Sequence, residues 1–243
     1  MSNRIENEIA HGKKISENAE DVWGWATPAG QIRANRRAGY FISEGQIKQG
    51  DKVLEIGCGT GLFTEKVFNQ TKAEITATDL SEDLLEVARK KDLPITFKAE
   101  DAMNLSFKNE SFDVVFGSSI LHHLDFEKSL NEIYRVLKPG GRLVFAEPNM
   151  INPQILIQKN VGFIKEWLGD SPDETAIVRW SFSKLLRKHN FEKVNIFPYD
   201  FLHPYTPKPL IGLVNGLGKL FESLPLTKEI AGSVIISAHK PVK

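Results

Sequence analysis

Residues 53–64 read Val-Leu-Glu-Ile-Gly-Cys-Gly-Thr-Gly-Leu-Phe-Thr, and a second short apolar run closes on Asp79, eighteen positions after Gly61. Val53 to Ile56 have the pattern of a strand buried on both faces, and the glycines follow without a break. Gly57, Gly59 and Gly61 admit positive φ and let a turn approach a ligand with no Cβ in the way. From Leu62 the pattern turns helical, so the loop leads a ligand to a helix N-terminus with unpaired N–H groups. Asp79 ends the run 74–78, where a carboxylate accepts hydrogen bonds from both hydroxyls of a ribose. The combination describes a pocket for a nucleoside cofactor.

The spacing discriminates among such cofactors. A dinucleotide loop takes Gly-x-Gly-x-x-Gly, the second glycine admitting a pyrophosphate and the last a closely packed helix. Here the glycines are 57, 59 and 61, and the sixth position is Leu62. Glu55 adds a carboxylate beside the loop, which repels a pyrophosphate and suits a ligand bearing an ammonium group. With Asp79 downstream, the stretch resembles motif I of the class I S-adenosylmethionine-dependent methyltransferases, an acidic residue followed by Gly-x-Gly-x-Gly. The segments from Glu110 to Leu124 and from Arg135 to Pro148 also resemble that family. The resemblance is close over roughly 50–148 and looser over the last strands. It points to the branch acting on small molecules, similar to enzymes of quinone, lipid and natural-product pathways. It implies S-adenosylmethionine as cofactor and SN2 transfer of its methyl group to a small-molecule or lipid-like acceptor. The alternatives are an NAD(P)-dependent oxidoreductase, which Leu62 and Glu55 disfavour, and a domain that binds S-adenosylmethionine without catalysis.

Strand and helix patterns alternate beyond the loop. Strands are expected at 52–56, 74–78, 95–98, 112–116, 142–146, 193–197 and 233–238, and helices at 62–69, 82–90 and 183–188. Ser81 is the expected N-cap of the second of these helices. A further helix carries the stripe Leu130, Ile133, Tyr134 and Leu137 until Lys138-Pro139-Gly140-Gly141 turns the chain into the fifth strand. Thr27-Pro28 marks an earlier helix start, with Thr27 as N-cap and Pro28 at the first helical position. Alternation of this kind implies an α/β fold, a parallel sheet with helices on both faces. The resemblance supplies the order: a doubly wound, Rossmann-like, seven-stranded sheet 3-2-1-4-5-7-6, mostly parallel, its last strand antiparallel. The expected organisation is an N-terminal helical cap at 1–47 and a methyltransferase domain at 48–243. Within the latter, an insertion at 149–180, containing Trp167 and the acidic stretch from Asp170 to Glu174, is the substrate lid that the resemblance implies.

Ligands of such sheets lie beyond the C-terminal strand ends, where strand order reverses. Glu55, Gly57, Cys58, Gly59 and Gly61 form the first loop. Cys58 fills the tight turn with a small side chain, a reactive thiol being the alternative. Asp79 takes the ribose and Leu80 walls the adenine. By resemblance, Asp101 accepts from the adenine amino group, the Ala102 backbone reads the ring edge, and Gly117 and Ser118 meet the methionine part through their carbonyls. Transfer to an oxygen or activated carbon also needs a base. His122 is the candidate, next to His123; adjacent residues of a helix cannot both face the substrate, so at least one serves a cap or the surface. His203 is a second candidate or an ordinary member of an aromatic loop. Arg33, sharing a helix face with Arg36 and Arg37, either binds the methionine carboxylate or an anionic acceptor, or lies in solvent. Trp23 and Trp25 either cover the cofactor or anchor the terminal segment. Positions 210, 213, 214, 217, 220 and 221 form an apolar helical face, expected to pack on the domain, with a rim for a lipid-like acceptor as the alternative.

Bulk properties remove other classes. The 243 residues suit one large α/β domain, and Lys plus Arg equals Asp plus Glu at 31 each, so no basic excess favours a nucleic-acid substrate. One cysteine leaves no internal disulfide and no multi-cysteine zinc site, and no metal is expected. Residues 1–14 lack the apolar core of a signal peptide, and no run reaches the roughly 20 apolar residues of a membrane span. A cytoplasmic protein is expected.

Overall fold

The computed structural model describes residues 2–161 and 176–242. Three helices, α1 (Ser2–Ile15), α2 (Ala19–Val22) and α3 (Pro28–Gly45), precede a seven-stranded sheet. Its strands are β1 (Lys52–Ile56), β2 (Glu74–Asp79), β3 (Thr96–Ala99), β4 (Phe112–Ser118), β5 (Leu137–Pro148), β6 (Glu192–Tyr199) and β7 (Ser233–His239). Between them run α4 (Leu62–Thr71), α5 (Glu82–Arg89), α6 (Phe126–Val136), α7 (Pro153–Asn160), α8 (Arg179–Lys188) and α9 (Ile211–Ser223). The order is β3-β2-β1-β4-β5-β7-β6. β1 pairs in parallel with both β2 and β4, and β7 runs antiparallel between β5 and β6. The order therefore reverses between β1 and β4, which opens the crevice above their C-terminal ends.

Apolar runs in the central strands are explained by burial on both faces. Leu54, Val115, Leu143 and Ile236 point to the face covered by α6 and α8, through Leu130, Ile133, Phe182 and Leu186. Their neighbours Val53, Val114, Val144 and Ile235 point to the face covered by α3 and α4, through Ala34, Ala38, Phe41 and Val67. This is the period of two that a pleated strand imposes. Helix starts follow the caps: Thr27 accepts from the Gly30 amide at 2.9 Å, and Ser81 from Leu84 at 3.4 Å.

Two local expectations are corrected. Leu137, read as the end of a helical stripe, is extended and pairs with Phe112 at the start of β5. Pro139 biases the residue before it away from the helical region, and Gly140 turns at φ 76°, so the chain joins the sheet early. The apolar face of α9 packs on the domain only in part: Ile211 and Gly218 are buried, Val214 packs beside Leu202, and Phe221 meets Phe201 edge-on at 5.8 Å, while Leu210, Leu213, Leu217 and Leu220 stay exposed. Gly218 sits on Phe201, so the helix docks through its narrow side and turns its leucines outward. The expected insertion is described only at its ends, α7 and the start of α8; Trp167 and the stretch from Asp170 to Glu174 lie outside the described residues. Among the described residues no helix is long and apolar enough to cross a membrane.

Candidate active site

The glycine loop ends β1 and opens a cavity of about 580 Å³. Gly57 and Gly59 adopt φ of 68° and 52°, a conformation costly for residues with a side chain. A Cβ on Gly57 would lie 2.6 Å from the Ile120 side chain, and one on Gly59 would lie 3.0 Å from the Trp23 ring. The cradle is thus closed to any side chain and lined by backbone. Gly61 is the N-cap of α4, so the first amides of that helix point toward the loop. Asp79, at the end of β2, fixes the loop from the other side: one carboxylate oxygen accepts from the Gly59 amide at 2.8 Å and the other from Ser81 at 2.9 Å. Each oxygen keeps lone-pair capacity for a ligand hydroxyl. Burial pushes the Asp79 pKa up, and the amides of Ser81 and Gly59 work against that rise.

The cavity wall brings together Gly57, Cys58, Gly59, Asp79, Leu80, Ala102, Ser118 and His122 from the expected set. Trp23, Trp25 and Phe63 close another side, Trp25 standing edge-on to Phe63 at 5.3 Å. Asp101, Gly117, Gly61, Glu55 and Arg33 are not on the wall. Asp101 is folded back in a turn, accepting from the Met103 amide at 2.9 Å, and leaves the wall to Ala102 and Met103. Gly117 fills a packing role, since a Cβ there would lie 2.7 Å from the Ile56 carbonyl and from the Phe145 ring.

Glu55 corrects the electrostatic reading. It is buried, its carboxyl is hydrogen-bonded by the Thr64 hydroxyl, and burial pushes its pKa up to about 8. At neutral pH it is protonated and contributes no anionic field to the loop. The ordinary value of 4.5 applies to the unfolded chain. Between about pH 4.5 and 8 the folded state therefore holds a proton that the unfolded state has released, and stability falls as pH rises across that window. Glu55→Gln is expected to flatten this slope and to raise stability at pH 9 by on the order of 4 kcal/mol, read from urea melts at pH 5 and pH 9. An unchanged slope would place the titrating group elsewhere.

Cys58 is buried, and burial with the nearby Asp79 and Glu55 raises its pKa well above the ordinary thiol value. The thiol stays protonated, so Cys58 is a small filler of the turn and not a nucleophile.

The three arginines of α3 are engaged by the C-terminal segment. Arg33 binds Asp200 at 2.7 Å and Arg36 binds Glu222. Arg37 is buried and donates to four hydroxyls: Tyr199 at 2.9 Å, Ser118 at 2.9 Å, Ser119 at 3.1 Å and Ser233 at 3.2 Å. It has no carboxylate partner among the described residues, and Ser118 and Ser119 stand between it and the cavity. His203 is exposed and contacts Tyr205, off the cavity wall.

Both histidines after β4 reach the cavity, contrary to the expectation for a helix. The segment Leu121–His123 is a tight 3-10 turn, and the two rings lie 4.2 Å apart. His123 contacts Glu8 of α1 at 3.1 Å. His122 is buried with Nδ1 2.7 Å from Glu147, the residue that sequence reasoning missed as a functional group. Glu147 is fully buried, and its other oxygen accepts the amides of Ile120 at 3.0 Å and Leu121 at 2.8 Å. An acceptor arranged in this way holds the hydrogen on Nδ1 and leaves the Nε2 lone pair available. The available signal was a charged residue at the end of the apolar run of β5. The contribution of α1, which adds Ile5, Glu8, Gly12 and Ile15 to the wall, had no sequence signal beyond the isolated apolar positions Ile5 and Ile15.

A glycine cradle at a β1–α4 junction, an acid on the next strand and a sheet of order 3-2-1-4-5-7-6 together define a Rossmann-like nucleoside-cofactor enzyme. The family model for the methyltransferase domain matches residues 54–145. A demethylmenaquinone methyltransferase of Symbiobacterium thermophilum is 31% identical over 199 residues, 78% of this chain and 73% of that protein. An uncharacterized methyltransferase-like protein of Schizosaccharomyces pombe is 29% identical over 183 residues, 75% of this chain and 70% of its own length. Among solved structures, phosphoethanolamine N-methyltransferase 2 of Haemonchus contortus, in complex with S-adenosylmethionine, shares the fold at a TM-score of 0.64. That likeness has 19% identity and covers 95% of this chain and 60% of the other. The chain belongs to the class I S-adenosylmethionine-dependent methyltransferase family, and it is an enzyme of that kind. The oxidoreductase and non-catalytic alternatives give way to that assignment.

Proposed function

We propose that this chain binds S-adenosylmethionine in the crevice between β1 and β4 and methylates a small-molecule or lipid-like acceptor, with His122 as general base. The observation that carries the cofactor reading is the cradle itself: backbone at Gly57 and Gly59, with Asp79 tied to the Gly59 amide at 2.8 Å. A nucleoside fits that cradle, with Asp79 toward the ribose and Leu80, Ala102 and Met103 forming the adenine wall. Asp101 serves the adenine end through the turn it makes with Met103. Ser118 and Ser119, polarised from behind by Arg37, suit the methionine carboxylate, a role in which they replace the proposed Arg33. Bound there, the cofactor supplies an electrophilic methyl group with its own leaving group attached.

The protein's own residues then have three tasks. Trp23, Trp25 and Phe63 keep water from the reacting centre. The walls hold the acceptor in line with the methyl group. His122 removes the acceptor proton at Nε2 while Glu147 orients the ring and stabilises the imidazolium. The relatedness to a demethylmenaquinone methyltransferase supports a lipid-like acceptor, as does the apolar character of much of the wall. The absence of a basic excess weighs against a nucleic acid.

Calorimetric titration with S-adenosylhomocysteine tests the cofactor reading, with saturable one-to-one binding expected in the micromolar range. No heat at millimolar ligand would sink it. Transfer of radiolabelled methyl into fractionated cell extracts then identifies the acceptor class.

A further inference from the structure

α9 and the segment after it carry an apolar surface that neither core uses. Leu213 is 62% exposed, and Leu217 and Leu220 stand out on the same side of the helix, while Phe221 leans back edge-on to Phe201 at 5.8 Å. Leu210 and Leu224 extend the row at its two ends, and Leu226, at 86% exposure, continues it. Tyr205, on the cavity wall, precedes the start of this row by five residues, so only a short stretch of chain links the surface to the cavity.

The charges of this segment are sorted. Its two carboxylates face inward, Glu222 on Arg36 and Glu229 on Arg179, the latter at 2.8 Å. Lys208 and Lys219 are exposed and Lys228 is half-buried, and none has an ion-pair partner among the described residues. Of the charges this segment carries, only the lysines are left without an ion-pair partner among the described residues, on a helix whose exposed face is leucine-rich.

We propose that this face docks on an anionic lipid surface. The leucines enter the headgroup–acyl boundary while the lysine heads stay at the level of the phosphates. Three lysines near an anionic leaflet add an attraction that falls with salt. A second copy of the chain fits less well. The row spans two heptads, with Leu210, Leu217 and Leu224 alternating with Leu213 and Leu220, short of the three or four that a paired coiled coil needs. Val214 and Phe221 flank the seam where a coiled coil would carry charges that fix its partner. Docking holds the short connection to Tyr205 near the bilayer, whatever atom is methylated.

The test is co-sedimentation of the full chain with vesicles of phosphatidylcholine alone or mixed with phosphatidylglycerol, without cofactor, so its failure leaves the cofactor reading standing. Binding to the mixed vesicles is expected to be at least about tenfold tighter and to weaken with added salt. The pair Leu217→Glu and Leu220→Glu should lower binding by about tenfold or more while the melting temperature holds, because both side chains are about half exposed and belong to no buried cluster. The pair Lys208→Glu and Lys219→Glu should remove the preference for anionic lipid. Absence of binding to either vesicle overturns the proposal, as does binding indifferent to both pairs. A concentration-dependent dimer without vesicle binding, dissolved by Leu217→Glu, assigns the face to a second copy and overturns it too.

Discussion

His122→Ala is expected to lower the rate of methyl transfer by roughly 10²- to 10⁴-fold, the range of a positioned general base, while affinity for S-adenosylhomocysteine changes little. The expectation rests on a specific geometry. His122 is on the cavity wall, its Nδ1 is 2.7 Å from Glu147, and Glu147 is locked by two backbone amides. Glu147→Gln tests the orienting role separately. It preserves volume and an oxygen for the two amides, but an amide group cannot stabilise an imidazolium as a carboxylate does. A loss of about tenfold or more in kcat, with KM held, is expected for that variant. Single-turnover transfer of labelled methyl to the identified acceptor is the measurement. Full activity in His122→Ala would remove the base from the mechanism and leave desolvation and alignment as the chain's contribution.

The second large effect concerns the cofactor. Asp79→Ala should weaken S-adenosylhomocysteine binding by roughly 30- to 150-fold, about 2–3 kcal/mol, as expected when ligand hydroxyls lose a buried charged acceptor. Part of that loss is indirect, because Asp79 also holds the amides of Gly59 and Ser81. Asp79→Asn separates the two contributions, since its side-chain oxygen still accepts from one amide while the charge is gone. Calorimetry on both variants reads the difference, and unchanged affinity in Asp79→Ala would remove this residue from the ribose site.

Much of the fold was legible because its signals are local. The glycine loop, the strand-like runs and the caps at Thr27 and Ser81 depend on a few consecutive residues. The apolar strands read as buried on both faces because helices cover both faces of the sheet. The misreadings arose where a residue's role depends on distant chain. Leu137 fits a helical stripe, yet it is taken into β5 by pairing with Phe112. α9 has the periodicity of a packed helix, yet it docks through Gly218 on Phe201 and leaves its leucines outside.

The site divides in the same way. By itself the sequence determined the strand-like runs, the glycines at 57, 59 and 61 and the acid at Asp79, since each follows from residue type and local spacing, while the order of the seven strands came from the family resemblance. Tertiary structure decided the rest. Glu55, an anion on paper, is protonated at neutral pH because folding buries it. Arg33 and Arg36 are held by Asp200 and Glu222, more than 160 positions away, which leaves Arg37 behind the serines. Glu147 orients His122 across 25 positions only because β4 and β5 are neighbours. Charge state and hydrogen-bond partnership depend on burial and on contacts far apart in the chain, and one-dimensional spacing carries neither.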